Sequence, residues 1–138
     1  MVPLSEAEPK GEIWMTDRPF VVWNEVPVRD LDAAMSFYKT VFALDFVRED
    51  MGPNETAMWG ADGAAGGGHL YPGTPATDGN GPTVHLAVPG ALEDAIDQCW
   101  SAGGKVVSDP ITIPPGRFAY ATDPDGNSIG LFEPTVPA

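Results

Sequence analysis

The sequence predicts an α+β fold in which two βαβββ modules form a curved mixed sheet around a cleft. Two observations carry this. Short runs alternate apolar and polar residues, and the spacing switches to that of a helix once in each half. The order of those runs also repeats. Val28–Leu31 followed by a helix-like stretch matches Val88–Leu92, Phe42–Val47 matches Ala102–Val107, and Asp62–Gly63 matches Asp125–Gly126, all at offsets of about 60 residues. Neither half can cover both faces of its own sheet. The halves should therefore pair, with helices outside and the cleft within.

Residues 1–18 mix proline, glycine and acids without periodicity and read as an extension. Residues 19–136 read as one domain: module one over 19–72, a turn-rich linker over 73–81, and module two over 82–136. In PFVVWNEVPV, Val22, Asn24, Val26 and Val28 share one strand face, and Trp23, Glu25 and Pro27 share the other. Asp30 is placed to cap a helix whose apolar stripe is Leu31, Ala34, Met35, Tyr38, Val41 and Phe42. Strands follow from Leu44 and in ETAMWG, and a glycine-rich turn leads into GHLYPG. In module two, PTVHLAV is a strand. ALEDAIDQCWSAGG is a helix with Leu92, Ala95, Ile96 and Cys99 on its buried stripe and Gly103 as its stop. KVVSDP is a strand and ITIPPG leads to a turn. RFAYAT and NSIGLFEP are strands joined by DPDG.

Seven basic residues stand against twenty acidic ones, a formal net charge of −13. This argues against nucleic acid and anionic membranes as partners, since both need Lys and Arg. It also steers cationic ligands inward. No apolar run is long enough to span a bilayer. The opening MVPLSEAEPKGE lacks the basic and apolar regions of a secretory signal, so a cytoplasmic location is expected. The single cysteine, Cys99, allows no intrachain disulfide. It reads as a nucleophile or as a small core residue on its helix, and the second is the commoner state of free cysteine.

Three motifs carry a family resemblance. VRDLDAAMSFYKTVFALDF, the central GGKVV, and FAYATDPDGNSIGLFEP resemble, in order, parts of the vicinal oxygen chelate superfamily, the glyoxalase, bleomycin-resistance and extradiol-dioxygenase group. Ala43 departs from the pattern, where the family usually has glycine. The resemblance implies a small-molecule ligand in the cleft and a homodimer that completes or covers its clefts across a two-fold axis. Enzymatic members hold one divalent metal, with ligands on the first and last strand of each module. Those positions fall here on Trp23, His69, Thr83 and Gly130, and only His69 is a metal-ligand type. Glu133 lies three residues beyond Gly130, with opposite strand parity, and should face away from the cleft.

A displaced set remains: Glu25, His69 and His85, with Glu25 and His85 each two residues beyond a family position. Two imidazoles and a carboxylate suit Fe, Mn, Ni or Zn. The alternative is no cofactor, with Glu25 and His85 hydrogen-bonded to each other or to a ligand. Trp23, Trp59, Phe118, Tyr120 and Phe132 can form an aromatic wall, with Thr83 beside them. Arg117 can hold an anionic group or be a solvated loop side chain. Two functions follow from the resemblance. One is a lyase, isomerase or dioxygenase acting on vicinal oxygens, with Glu25 as general base. The other is a metal-free binding protein of the kind that sequesters bleomycin-type drugs.

Overall fold

The structure, a computed structural model, describes residues 21–51, 54–60, 66–77 and 79–135. The predicted extension over 1–18 and the repeated pair Asp62–Gly63 lie outside the described residues. Module one runs β1 (Trp23–Val28), α1 (Leu31–Phe42), β2 (Val47–Met51), β3 (Asn54–Trp59) and β4 (Gly67–Pro72). Module two runs β5 (Val84–Ala87), α2 (Leu92–Ser101), β6 (Lys105–Val106), β7 (Ile111–Ile113), β8 (Gly116–Thr122) and β9 (Ser128–Pro134). The α+β class and the doubled module are thus as the repeat predicts. The strands pair as two mixed sheets, β1-β4-β3-β2 and β5-β9-β8-β6, with β7 also on β8. In each sheet the first strand runs parallel to the last, and the remaining pairs are antiparallel. ITI, expected to lead only to a turn, forms β7, because its β-branched residues lie beside Phe118 and Arg117 of β8.

Each helix covers one face of its sheet. The Asp30 carboxylate accepts from the Ala33 amide at 3.0 Å and starts α1. Leu31, Ala34, Phe37, Tyr38, Val41 and Phe42 are buried on α1. Helix α2 buries Leu92, Ala95 and Cys99. Its N-cap, Ala91, has no capping side chain, and Glu133 of β9 supplies the missing acceptor to the Leu92 amide at 2.9 Å. The two helices also touch each other beside Gly104. A Cβ there would stand 2.7 Å from Cys99 Sγ and 2.9 Å from the Phe37 ring, so only glycine fits. Burial pushes the Cys99 thiol up to about 11. It stays protonated at neutral pH and is a core group, not a nucleophile.

A buried polar network ties the modules together. The Tyr38 hydroxyl on α1 donates to Asp123 Oδ2 at 2.6 Å. Asp123 also accepts from the backbone amides of Asp125 and Asn127, both at 2.9 Å, through its other oxygen. The Asn127 side-chain amide donates to Asp123 Oδ2 at 3.0 Å and to the Pro27 carbonyl on β1 at 2.8 Å. The DPDGN turn therefore does more than join β8 to β9. It latches module two onto β1 and α1 of module one.

Candidate functional site

Strand parity and register decide which side chains share a face. On β1, Val26 and Val28 are buried in the core, which leaves Trp23 and Glu25 on the other side. Glu25 lies opposite His69, and Trp23 opposite Gly67. The indole N–H of Trp23 donates to His69 Nδ1 at 2.9 Å. An indole can only donate, so Nδ1 is the acceptor and the neutral ring carries its proton on Nε2. That nitrogen stands 3.8 Å from Glu25 Oε1. His69 is buried, whereas the Glu25 side chain is 66% exposed. Trp23, Glu25 and His69 are thus one cluster on the first sheet.

Trp59 belongs to the opposite face. Its ring lies across Gly68 and edge-on to Phe46, and its N–H donates to the Gly66 carbonyl at 3.3 Å. It is buried in the core, only 5% exposed. It therefore does not share the face of His69 or of the second-sheet aromatic residues, although it and Trp23 line one cavity.

The second sheet gathers the other aromatic residues. Register sets His85 and Tyr120 on either side of Gly130, and Phe118 opposite Phe132. The Phe118 and Phe132 rings stack with centroids 5.9 Å apart and planes within 5°. The His85 imidazole meets Phe118 edge-on at 4.9 Å and Phe132 edge-on at 5.9 Å, with Tyr120 at 5.8 Å. The ring lies directly over Gly130, where any Cβ would overlap it. Burial against these rings holds the His85 pKa below the usual imidazole value, so it is neutral at pH 7. Ile111 and Ile113 extend the same face, each 37% exposed, beside Tyr120 at 38%. Thr83 is turned to the Ser128 hydroxyl on β9.

Arg117 is not brought to this face. It points to the helix side of β8, where it forms a bidentate pair with Glu93 at 2.6 and 2.7 Å and binds Glu133 at 3.0 Å. With two carboxylates already engaged, the guanidinium is not free for a ligand anion. Glu133 likewise faces α2, away from the aromatic residues.

The residues do not fit a divalent metal. Glu25 and His69 are neighbours on the first sheet, while His85 stands on the second among three aromatic rings. Among the described residues no three His, Cys, Asp or Glu side chains converge as a metal site needs. Of the other family positions, Trp23 has no lone pair to give, Thr83 is paired with Ser128, and Gly130 has no side chain.

Comparison with known proteins agrees with this architecture. The model of the Glyoxalase/Bleomycin resistance protein/Dioxygenase superfamily matches residues 20–131. The chain belongs to this superfamily. Its glyoxalase-type relatives include CFP32 of Mycobacterium bovis and Mycobacterium tuberculosis, a candidate glyoxylase by name. CFP32 is 32% identical over 130 residues, which is 90% of this chain and 48% of the relative. The chain thus spans about half the length of these curated relatives. Among solved structures of the superfamily fold, TnmS3 from Streptomyces sp. CB03234, an antibiotic-binding protein, aligns with a TM-score of 0.58 at 24% identity. The alignment covers 86% of this chain and 98% of that one. A glyoxalase I variant from Zea mays aligns with a TM-score of 0.62 at 21% identity, over 81% of this chain and 46% of that one. No helix among the described residues is long and apolar enough to cross a membrane.

The site residues that sequence reasoning missed are those of the latch, Tyr38, Asp123 and Asn127. Tyr38 sits on an apolar stripe and Asp123 in a turn motif, and nothing local says that they meet. The one available signal was a hydroxyl on a core stripe, which needs a buried acceptor from somewhere.

Proposed function

We propose that this superfamily member binds a small planar molecule, neutral or cationic, on the His85–Phe118–Tyr120–Phe132 face without a divalent metal. One observation carries the reading: the His85 ring occupies the space above Gly130, the position of the family's closing metal ligand. In place of a ligating carboxylate there is a neutral imidazole walled by aromatic rings. Such a surface stacks a flat ligand, and the imidazole can accept one hydrogen bond from it. The net charge of −13 favours cationic ligands by steering and by cation–π contact with the rings. TnmS3, which shares the fold, is an antibiotic-binding protein, and this supports a binding role. A second copy of the chain is the proposed cover for the face, since Ile111, Ile113 and Tyr120 are otherwise left to water.

The test is calorimetric titration with metal-free bleomycin in the presence of a chelator. Binding is expected to persist there and to be lost in His85→Ala and Tyr120→Ala. Binding that requires added metal would refute the proposal. Light scattering is expected to show a species near twice 14.6 kDa.

The Trp23–His69–Glu25 cluster favours a second reading, an enzyme of the lyase, isomerase or dioxygenase kind. The indole N–H fixes the His69 tautomer and presents Nε2–H toward Glu25, an arrangement suited to holding a carboxylate base. If this reading holds, turnover of a substrate with vicinal oxygens is lost in Glu25→Gln and lowered in Trp23→Phe, which releases His69 Nδ1.

A further inference from the structure

A cavity of about 320 Å³ opens between β1 and the β5–β9 edge of the second sheet. It lies on the side of the strands opposite His85. Val84 and Leu86 flank His85 on β5 and so point the other way, into the cavity. Trp59 lines it from the first sheet and Tyr38 closes it from α1. Ligand pockets start at roughly 300 Å³ and are mostly apolar with a few placed polar groups. This cavity has that make-up at the small end, which suits a molecule of one or two rings.

Asn24, Asn80 and Ser128 also line it and can both donate and accept, so its preference is set by two groups that can only accept. Asn127 lines the cavity and is 8% exposed. Its amide nitrogen donates to the Pro27 carbonyl and to Asp123, both pure acceptors, so the orientation of the amide is settled. Its carbonyl oxygen then accepts no hydrogen bond from any described residue, and a buried acceptor in that state costs free energy. The second group is Glu25, an exposed carboxylate at the rim. Among the described residues no Lys or Arg lines the cavity. Both groups accept hydrogen bonds, so the complementary ligand brings donors and positive charge.

We infer that this cavity is a second ligand site, separate from the aromatic face of module two, and that it takes an arylalkylamine. The ring system lies against Trp59 and Leu86, a ring N–H donates to Asn127 Oδ1, and the ammonium reaches Glu25. Tryptamine has these groups and serves as the probe. In calorimetric titration of His85→Ala, which lacks the aromatic-face site, it is expected to bind one per chain, and indole-3-acetate, with a carboxylate in place of the ammonium, about tenfold or more weaker. Leu86→Trp added to His85→Ala fills the cavity and abolishes the remaining binding. Should Leu86→Trp fail to fold, nuclear magnetic resonance of the wild type decides: the Asn127 side-chain amide signals must move as tryptamine is added. No heat and no shift would overturn the inference. Loss of tryptamine binding in His85→Ala with retention in Leu86→Trp would also overturn it, by placing the amine on the aromatic face. Equal binding of indole-3-acetate would overturn the role given to Glu25.

Discussion

His85 owes its position to an absent side chain. A methyl group added by Gly130→Ala would overlap the imidazole, so the ring must leave its place between Phe118, Tyr120 and Phe132. We expect that substitution to cost about 1–3 kcal/mol of stability, the usual range for overpacking, and to abolish binding of the planar ligand. Denaturant unfolding and titration check the two effects. The same residue gives a pH dependence. Its folded pKa is below the ordinary 6.5, so between the two values the unfolded chain binds more protons than the folded one. Stability from this residue is complete above pH 6.5 and is lost as the pH falls toward the folded value. The melting temperature of wild type relative to His85→Phe is expected to fall between pH 7.5 and 5. The grouping of His85 with Phe118, Tyr120 and Phe132 was legible, because period-two spacing fixes a face within a strand and between repeat-related strands. Trp59 was not legible in the same way. Its face depends on how β3 registers against β4, and that is set by turn geometry that spacing does not encode. Arg117 is a plainer case, since its parity is opposite to that of Phe118, and parity alone was enough to turn it toward α2.

Helix α1 ends on a residue of the wrong type for its conformation. Ala43 has φ +57° and ψ +35°, and its amide donates to the Lys39 carbonyl at 2.9 Å as the closing bond of the helix. Left-handed backbone at a helix C-terminus favours glycine, and an alanine there carries the steric cost of its Cβ. Ala43→Gly gives up some entropy in the unfolded chain but removes that cost. We expect a net gain of about 0.5–1 kcal/mol, read as a higher denaturation midpoint with an unchanged slope. The departure from the family glycine is thus a site of stored strain, and the sequence alone located it. The start of α2 shows the reverse situation. Ala91 offers no cap, so Glu133 reaches from β9 to the Leu92 amide and also holds Arg117. Glu133→Ala removes both contacts and should cost about 1 kcal/mol or more, the value of a lost N-cap. The acidic first turn of α2 was visible in the sequence, but its capping group lies 41 residues away on another element and was not.

At the scale of the molecule, the sequence announced two modules but not how they are held. The repeat speaks for each half separately, whereas the link is a contact between Tyr38 and Asp123, 85 residues apart. Such contacts leave no periodic trace. Tyr38 is 1% exposed and Asp123 3%, so neither has access to bulk water. Burial, and next the Asp123 carboxylate, raise the Tyr38 pKa well above the ordinary 10. Above pH 10 the unfolded chain releases this proton while the folded chain keeps it, so stability falls as the pH rises. Ionisation of Tyr38 should therefore appear, as tyrosinate absorbance, only together with unfolding. Tyr38→Phe removes the hydroxyl and leaves the buried carboxylate one donor short. A hydrogen bond to a charged group contributes about 1.5–3 kcal/mol, and the loss should be of that size because the ring is retained. Because Asn127 binds the same carboxylate oxygen and β1 as well, the two side chains act as one unit. Tyr38→Phe and Asn127→Ala together should cost less than the sum of the single changes. Strict additivity in that double-mutant cycle would show that the two hydrogen bonds act independently and do not form one unit.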